Sequence, residues 1–342
     1  MNLRLMFALL VFPIGVAVSA QDKSDPGKIS GLFFGDFYSV RGHNDASIKG
    51  KDGFWLRRLY LTYDKKLDAK MSARIQLEAK DPGDFSTVQN MQPFIKDAWV
   101  RYNENGHKIT LGLIPTPTWS QAETRLGYRP IEKTALDLFR MGSARDKGIS
   151  VEGPLDKTGT FDYSVMIGDG SGTRSSKGDT RAYYLRVGSK IAEGLVADIY
   201  LDSWKRESGG RWSTVKGEVF YQANDIKAGL MAASQRRTAT AATAATIGVW
   251  SLYAEFASKA KNCPFIRFDT LNQALSDADK IEFYKMSKDG KPTLVMVGVR
   301  MKINEFLEIV PNITTISYRK AAGATTSPRQ DSIFRITFSA KF

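Results

Sequence analysis

The sequence is poor in the residues that build most catalytic and metal sites. It holds one cysteine, Cys263, so an internal disulfide is excluded and the thiol is expected to pack as a small apolar group. Two histidines, His43 and His107, are too few for a histidine-based metal site. Beyond residue 20 no stretch approaches the ~18 apolar residues of a membrane-crossing helix. There is no basic run of five or more and no nucleic-acid motif, so nucleic acid is not an expected partner. Gly168-Asp169-Gly170-Ser171-Gly172 lacks the following Lys-Ser/Thr and helix of a phosphate cradle and reads as a flexible loop. Asp277, Asp279 and Glu282 lack the spacing of an EF-hand. No cofactor, metal or ATP site is expected.

The first twenty residues have the form of an export leader: Arg4, an apolar run from Leu5 to Val18, then Val18-Ser19-Ala20 before Gln21. This predicts a cleaved segment 1–20 and one domain over 21–342. The formal net charge is +13, spread along the chain rather than gathered in a tail. Mean hydropathy is −0.28, as expected where half of each strand faces water.

Alternation of apolar and polar residues recurs throughout. In the last segment Phe334, Ile336, Phe338, Ala340 and Phe342 share one strand face, and Arg335, Thr337, Ser339 and Lys341 the other. Similar segments lie at 28–41, 53–65, 68–80, 93–103, 107–115, 145–155, 159–168, 180–190, 193–204, 210–222, 225–234, 245–258, 262–270, 292–302, 305–319 and 330–342, sixteen in all. The pattern alone fits a β-sandwich or a barrel. The connections separate them, because short and long links alternate. Short ones include Asn103-Glu104-Asn105-Gly106 and Asn224-Asp225; long ones are 42–52, 81–92, 116–144, 169–179, 205–209, 235–244, 271–291 and 320–329. That order predicts an all-β, transmembrane, antiparallel up-and-down β-barrel with short periplasmic turns and longer outer loops, placed in a bacterial outer membrane with lipid around it. Aromatics such as Phe54, Trp55, Tyr60, Tyr102, Tyr183, Tyr184, Trp250 and Phe268 are candidates for interfacial girdles.

Arg57, Arg58, Arg74, Lys96, Arg101 and Arg145 fall inside strands. A lipid-facing cation at mid-membrane costs ~2–4 kcal/mol, so these are expected to line a water-filled lumen and attract anions. Arg57 and Arg58 are adjacent, so one is expected inward and the other at a rim or subunit contact. Pairing along the wet wall, Arg74 with Glu78 or Lys216 with Glu218, is the alternative role for single residues.

Gly53-Phe54-Trp55-Leu56-Arg57-Arg58, Lys96-Asp97-Ala98-Trp99, Leu111-Gly112-Leu113-Ile114-Pro115 and Arg145-Asp146-Lys147-Gly148 resemble motifs of the phosphate-selective porin O/P family, most clearly over 53–155. The resemblance implies a sixteen-stranded, trimeric diffusion channel for small solutes, anions among them. In general porins the third outer loop folds inward and narrows the pore. Here that loop is 116–144, with Arg125, Arg129, Lys133 and Arg140 set against Glu123, Glu132 and Asp137. The competing class is a barrel enzyme, a protease or phospholipase with a histidine-assisted nucleophile or water. His43 in the first outer loop and His107 beside a periplasmic turn sit at opposite faces, which disfavours a shared triad. A soluble exported sandwich is the third option.

Overall fold

The computed structural model describes residues 26–342 apart from 118, 177, 208, 240 and 241; the expected leader lies outside the described residues. Sixteen strands close into one barrel: β1 (Lys28–Gly42), β2 (Asp52–Lys66), β3 (Met71–Ala79), β4 (Phe94–Glu104), β5 (His107–Pro115), β6 (Arg145–Pro154), β7 (Phe161–Gly168), β8 (Arg181–Ala192), β9 (Leu195–Lys205), β10 (Arg211–Ala223), β11 (Ile226–Ala239), β12 (Ala242–Glu255), β13 (Asn262–Leu271), β14 (Gly290–Lys302), β15 (Leu307–Lys320) and β16 (Asp331–Lys341). Each pairs antiparallel with its sequence neighbours, and β16 pairs with β1, so no sheet edge remains. Closure reaches the last residue: Gly31 and Phe342 exchange backbone hydrogen bonds of 2.9 and 3.0 Å.

Local chemistry sets the turns at one end. Asn105-Gly106 and Asn224-Asp225 both take positive φ at two successive residues, as a two-residue hairpin with the right twist requires. The period of two then sorts the side chains. On β16, Arg335 and Thr337 are buried inward while Ile336 faces out; on β8, Arg186 is inward and Tyr183 and Leu185 are outward. The outside is an apolar band, with Phe54, Ile199 and Trp250 among its most exposed members. Trp55, Tyr60 and Tyr184, candidates for the girdles, instead point into the lumen; Phe54, Tyr183 and Trp250 stay outside. Placing a lysine at Ile199, midway along β9, is expected to cost ~2–4 kcal/mol if this band meets hydrocarbon. Urea unfolding in lipid vesicles measures it, and an unchanged midpoint would speak against a lipid-facing β9.

Two departures from the sequence expectation matter. The segment 235–244 is not a long loop: β11 and β12 stay paired from Lys227↔Glu255 to Ala239↔Ala242. And bulges in β2 and β4 fall on candidate residues. Opposite β1, Phe34 pairs with Arg58 and Gly35 with Leu56, so Arg57 is the extra residue. Opposite β3, Gln76 pairs with Asp97 and Leu77 with Ile95, so Lys96 is the extra residue. A bulge sets two adjacent side chains on one face. Arg57 and Arg58 therefore both point inward, 1% and 4% exposed, and neither lies at a rim or subunit contact. Lys96 and Asp97 do the same.

Candidate functional site

The third outer connection, 116–144, enters the barrel. Its helix α1 (Trp119–Leu126) buries Trp119, Ala122 and Leu126, one face at helical spacing. Gly127, at φ +65°, ends it, its N–H donating to the Glu123 carbonyl. A short second helix, α2 (Ala135–Leu138), follows. The loop lies on the β9–β13 wall. Trp119 meets Tyr200 edge-on, Tyr128 stacks on Tyr253 at 4.0 Å, Lys227 donates to the Leu126 carbonyl, and Arg267 donates to that of Lys133. The expected inward fold of this loop is thus observed.

A second connection, 272–289, also turns inward. Leu275, Ala278, Ile281, Phe283, Tyr284 and Met286 are all buried. Three other segments hold it. His43 Nδ1 accepts from the Asp45 N–H, which leaves the ring proton on Nε2 to donate to the Tyr284 carbonyl at 2.8 Å. Asn44 donates to the Lys285 carbonyl, the Phe283 N–H donates to Gly83, and Arg335 donates to the Phe283 carbonyl at 2.8 Å.

Glu132 joins the two loops to the wall. Its carboxylate accepts from the Tyr284 hydroxyl at 2.6 Å and pairs with Arg57 at 3.3 Å and Arg335 at 3.5 Å. Arg57 also donates to the Ile131 carbonyl at 2.7 Å and reaches Asp36. Two cations and two carboxylates, all nearly sealed from solvent, form a latch. Burial pushes the Glu132 carboxyl up, but Arg57, Arg335 and the Tyr284 hydroxyl outweigh it and hold the group down at about 2.

What the loops leave open is strongly cationic. A cavity of about 530 Å³ on the outer side is lined by Arg58, Lys80, Lys96, Arg129, Lys133, Arg140, Arg145, Arg174, Arg206 and Lys280, against Glu78, Asp137, Asp277 and Glu282. A second, of about 380 Å³, lies nearer the periplasmic turns and holds Arg101, Lys108 and Arg125 against Glu152. In the upper cavity Arg129 pairs with Glu123 at 3.0 Å and Arg145 with Asp97. Arg140 pairs with Asp277 at 2.7 Å and Arg125 with Asp198 at 2.7 Å. Trp212 is stacked by Arg206 and by Arg237 at 4.5 and 3.9 Å from its ring centre.

The sequence candidates therefore separate. Arg58, Lys96, Arg129, Lys133, Asp137, Arg140 and Arg145 line the upper cavity; Arg101 and Arg125 line the lower one. Arg57 lies beneath the loop and anchors it. Arg74 pairs with Asp64 at 2.7 Å, rather than with Glu78, and lines neither cavity. Lys216 pairs with Glu218 and Asp198. Sequence reasoning missed Asp36, Glu282 and the inward turn of 272–289; its one signal is a loop too apolar to stand in water. His43 is tied into this loop contact and His107 bonds Tyr163 at the other end of the barrel, so the two rings are not brought together.

No family model matches the chain, and no curated protein matches it. Solved structures do. An anion-selective porin from Comamonas acidovorans is 15% identical with a TM-score of 0.67 over 92% of this chain and 99% of that one. OmpT, an outer membrane protein of Vibrio cholerae, is 12% identical with a TM-score of 0.62 over 94% and 99%. The outer membrane channel DcaP of Acinetobacter baumannii is 12% identical with a TM-score of 0.62 over 92% and 97%. The likeness is one of fold: the chain shares the barrel fold of these outer-membrane proteins.

Proposed function

We propose that this protein is an outer-membrane porin, a passive, anion-preferring diffusion channel for small hydrophilic solutes, with phosphate and other inorganic anions in its range. The observation that carries this is the upper cavity, where ten cationic side chains face four carboxylates among the described residues. A confined cleft of one sign focuses its field and concentrates counter-ions. Nothing is transformed; the two inward loops set size and the wall sets charge preference. The affiliation with the phosphate-selective porin O/P family is part of this reading and rests on the motifs of 53–155, the segment in which Arg58 and Lys96 turn into the lumen. A homotrimer is part of the reading, supported by the trimer form recorded for OmpT of Vibrio cholerae.

Planar bilayers under a potassium chloride gradient test it. The reversal potential is expected to take the sign of chloride preference. The double variant Arg129→Ala, Lys133→Ala is expected to lower the anion-to-cation permeability ratio by a factor on the order of ten at low salt, the lower end of such focusing. The difference should shrink at 1 M salt, where the Debye length is ~3 Å. Wild-type protein that conducts no ions, or prefers potassium, would overturn the proposal; unchanged selectivity in the double variant would remove the loop from it.

A further inference from the structure

One carboxylate in the upper cavity is shared by three cations from three segments. Glu282, on the inward loop 272–289, takes Lys80 on Oε1, and Arg58 at 3.2 Å and Lys133 at 3.3 Å on Oε2. Arg58 has a second partner, Glu78 at 2.8 Å. Lys80 and Lys133 pair with no other carboxylate among the described residues. Glu78 is locked from both sides, by Arg58 and Lys96, and its side chain is 5% exposed; that of Glu282 is 23% exposed, and it opens on the cavity.

We infer that Lys80, Lys133 and Arg58 form a binding site for a small oxyanion, a carboxylate or phosphate, and that Glu282 is its tethered occupant, competing with permeant anions. The inference rests on the channel reading above. The bound carboxylate already shows the fit: two oxygens, one toward an ammonium and one between an ammonium and a guanidinium. A free oxyanion entering this place keeps those charge-assisted hydrogen bonds and releases Glu282 toward water. The surplus of cations supports this. Burial and the neighbouring Arg58 and Lys133 depress the Lys80 ammonium, so Glu282 alone does not neutralise the cluster. The site lies in the lumen, away from the lipid-facing band, so its ligand is a solute. Loop 272–289 thereby becomes a determinant of how tightly the pore holds what passes.

Block of chloride current by inorganic phosphate, with acetate as the carboxylate arm, tests this in planar bilayers. Glu282→Gln keeps the shape and removes the charge. The half-blocking phosphate concentration is expected to fall about tenfold. Adding Lys80→Gln and Lys133→Gln to that variant should restore weak block. Glu282→Asp, whose shorter arm draws back from Lys80, should move the block the same way and serves if the glutamine variant does not assemble. Anion-selective wild type with an unchanged half-block in the Glu282 variants overturns this inference alone. A wild type without anion current overturns the channel reading beneath it.

Discussion

Replacing Glu132 by alanine is expected to open the pore. The change leaves Arg57 and Arg335 facing each other with Asp36 alone between them, and it removes the acceptor of the Tyr284 hydroxyl. Removing one partner of a buried ionic group costs ~3–5 kcal/mol. That cost falls on the docked state of both inward loops, since Glu132 is the group they share. Single-channel conductance should rise, current noise should increase, and trypsin should cut at Arg125 or Lys133, whose side chains are largely covered while the loop is docked. Glu132→Gln keeps an acceptor for Tyr284 and should have a smaller effect. Wild-type conductance together with trypsin resistance in the alanine variant would sink the latch.

Acid probes the same group with a defined sign. The carboxyl is held at about 2 in the folded protein, below its ordinary value of 4.5. Its contribution is therefore complete above about 4.5 and is lost as pH falls through about 2. Glu282 is likewise held low: burial opposes this, and Lys133, Arg58 and Lys80 prevail. Conductance should stay flat from neutral pH down to the ordinary carboxyl range and rise only below it. An opening centred near pH ~6, as a histidine switch would give, would contradict the assignment.

The barrel was legible because hydrocarbon punishes errors. A period of two, held over sixteen segments between turns and loops of alternating length, leaves few other folds, and the terminal strand from Phe334 to Phe342 sorts as its alternation requires. The inward third loop was legible from its length and its place in the order. The latch was not, because Asp36, Glu132, Tyr284 and Arg335 come from four distant segments with no shared pattern. The segment 235–244 reads as a loop because its small residues are turn-like in composition, yet its described residues continue the β11–β12 pairing. The bulges did leave a trace. In Leu56-Arg57-Arg58-Leu59 and Ile95-Lys96-Asp97-Ala98 the outward residues are three apart, with two charges between. A regular strand would put one of those charges in lipid, so the extra residue relieves ~2–4 kcal/mol.

Methionine at position 57 or 58 distinguishes the bulge from a regular strand by the sign of the effect. In a regular strand one of the two arginines faces outward, and its replacement by an apolar residue stabilises the barrel by up to ~2–4 kcal/mol. In the bulged strand both are inward and paired. Arg57→Met takes one cation from Asp36 and Glu132 and leaves Arg335 alone to serve both; Arg58→Met takes one from Glu78, which keeps Lys96, and one from Glu282. Each substitution is therefore expected to destabilise, by ~3–5 kcal/mol where the partners are sealed and by less for Arg58, whose partner Glu282 retains Lys80 and Lys133. Current separates the two further. Arg58 lines the upper cavity, so its loss should lower anion preference; Arg57 lies under the third loop, so its loss should raise conductance and noise with little change in the sign or size of the reversal potential. Urea unfolding in vesicles and bilayer recordings on the same two variants give both readings. A gain in stability from either substitution would return Arg57 or Arg58 to the outside of the barrel.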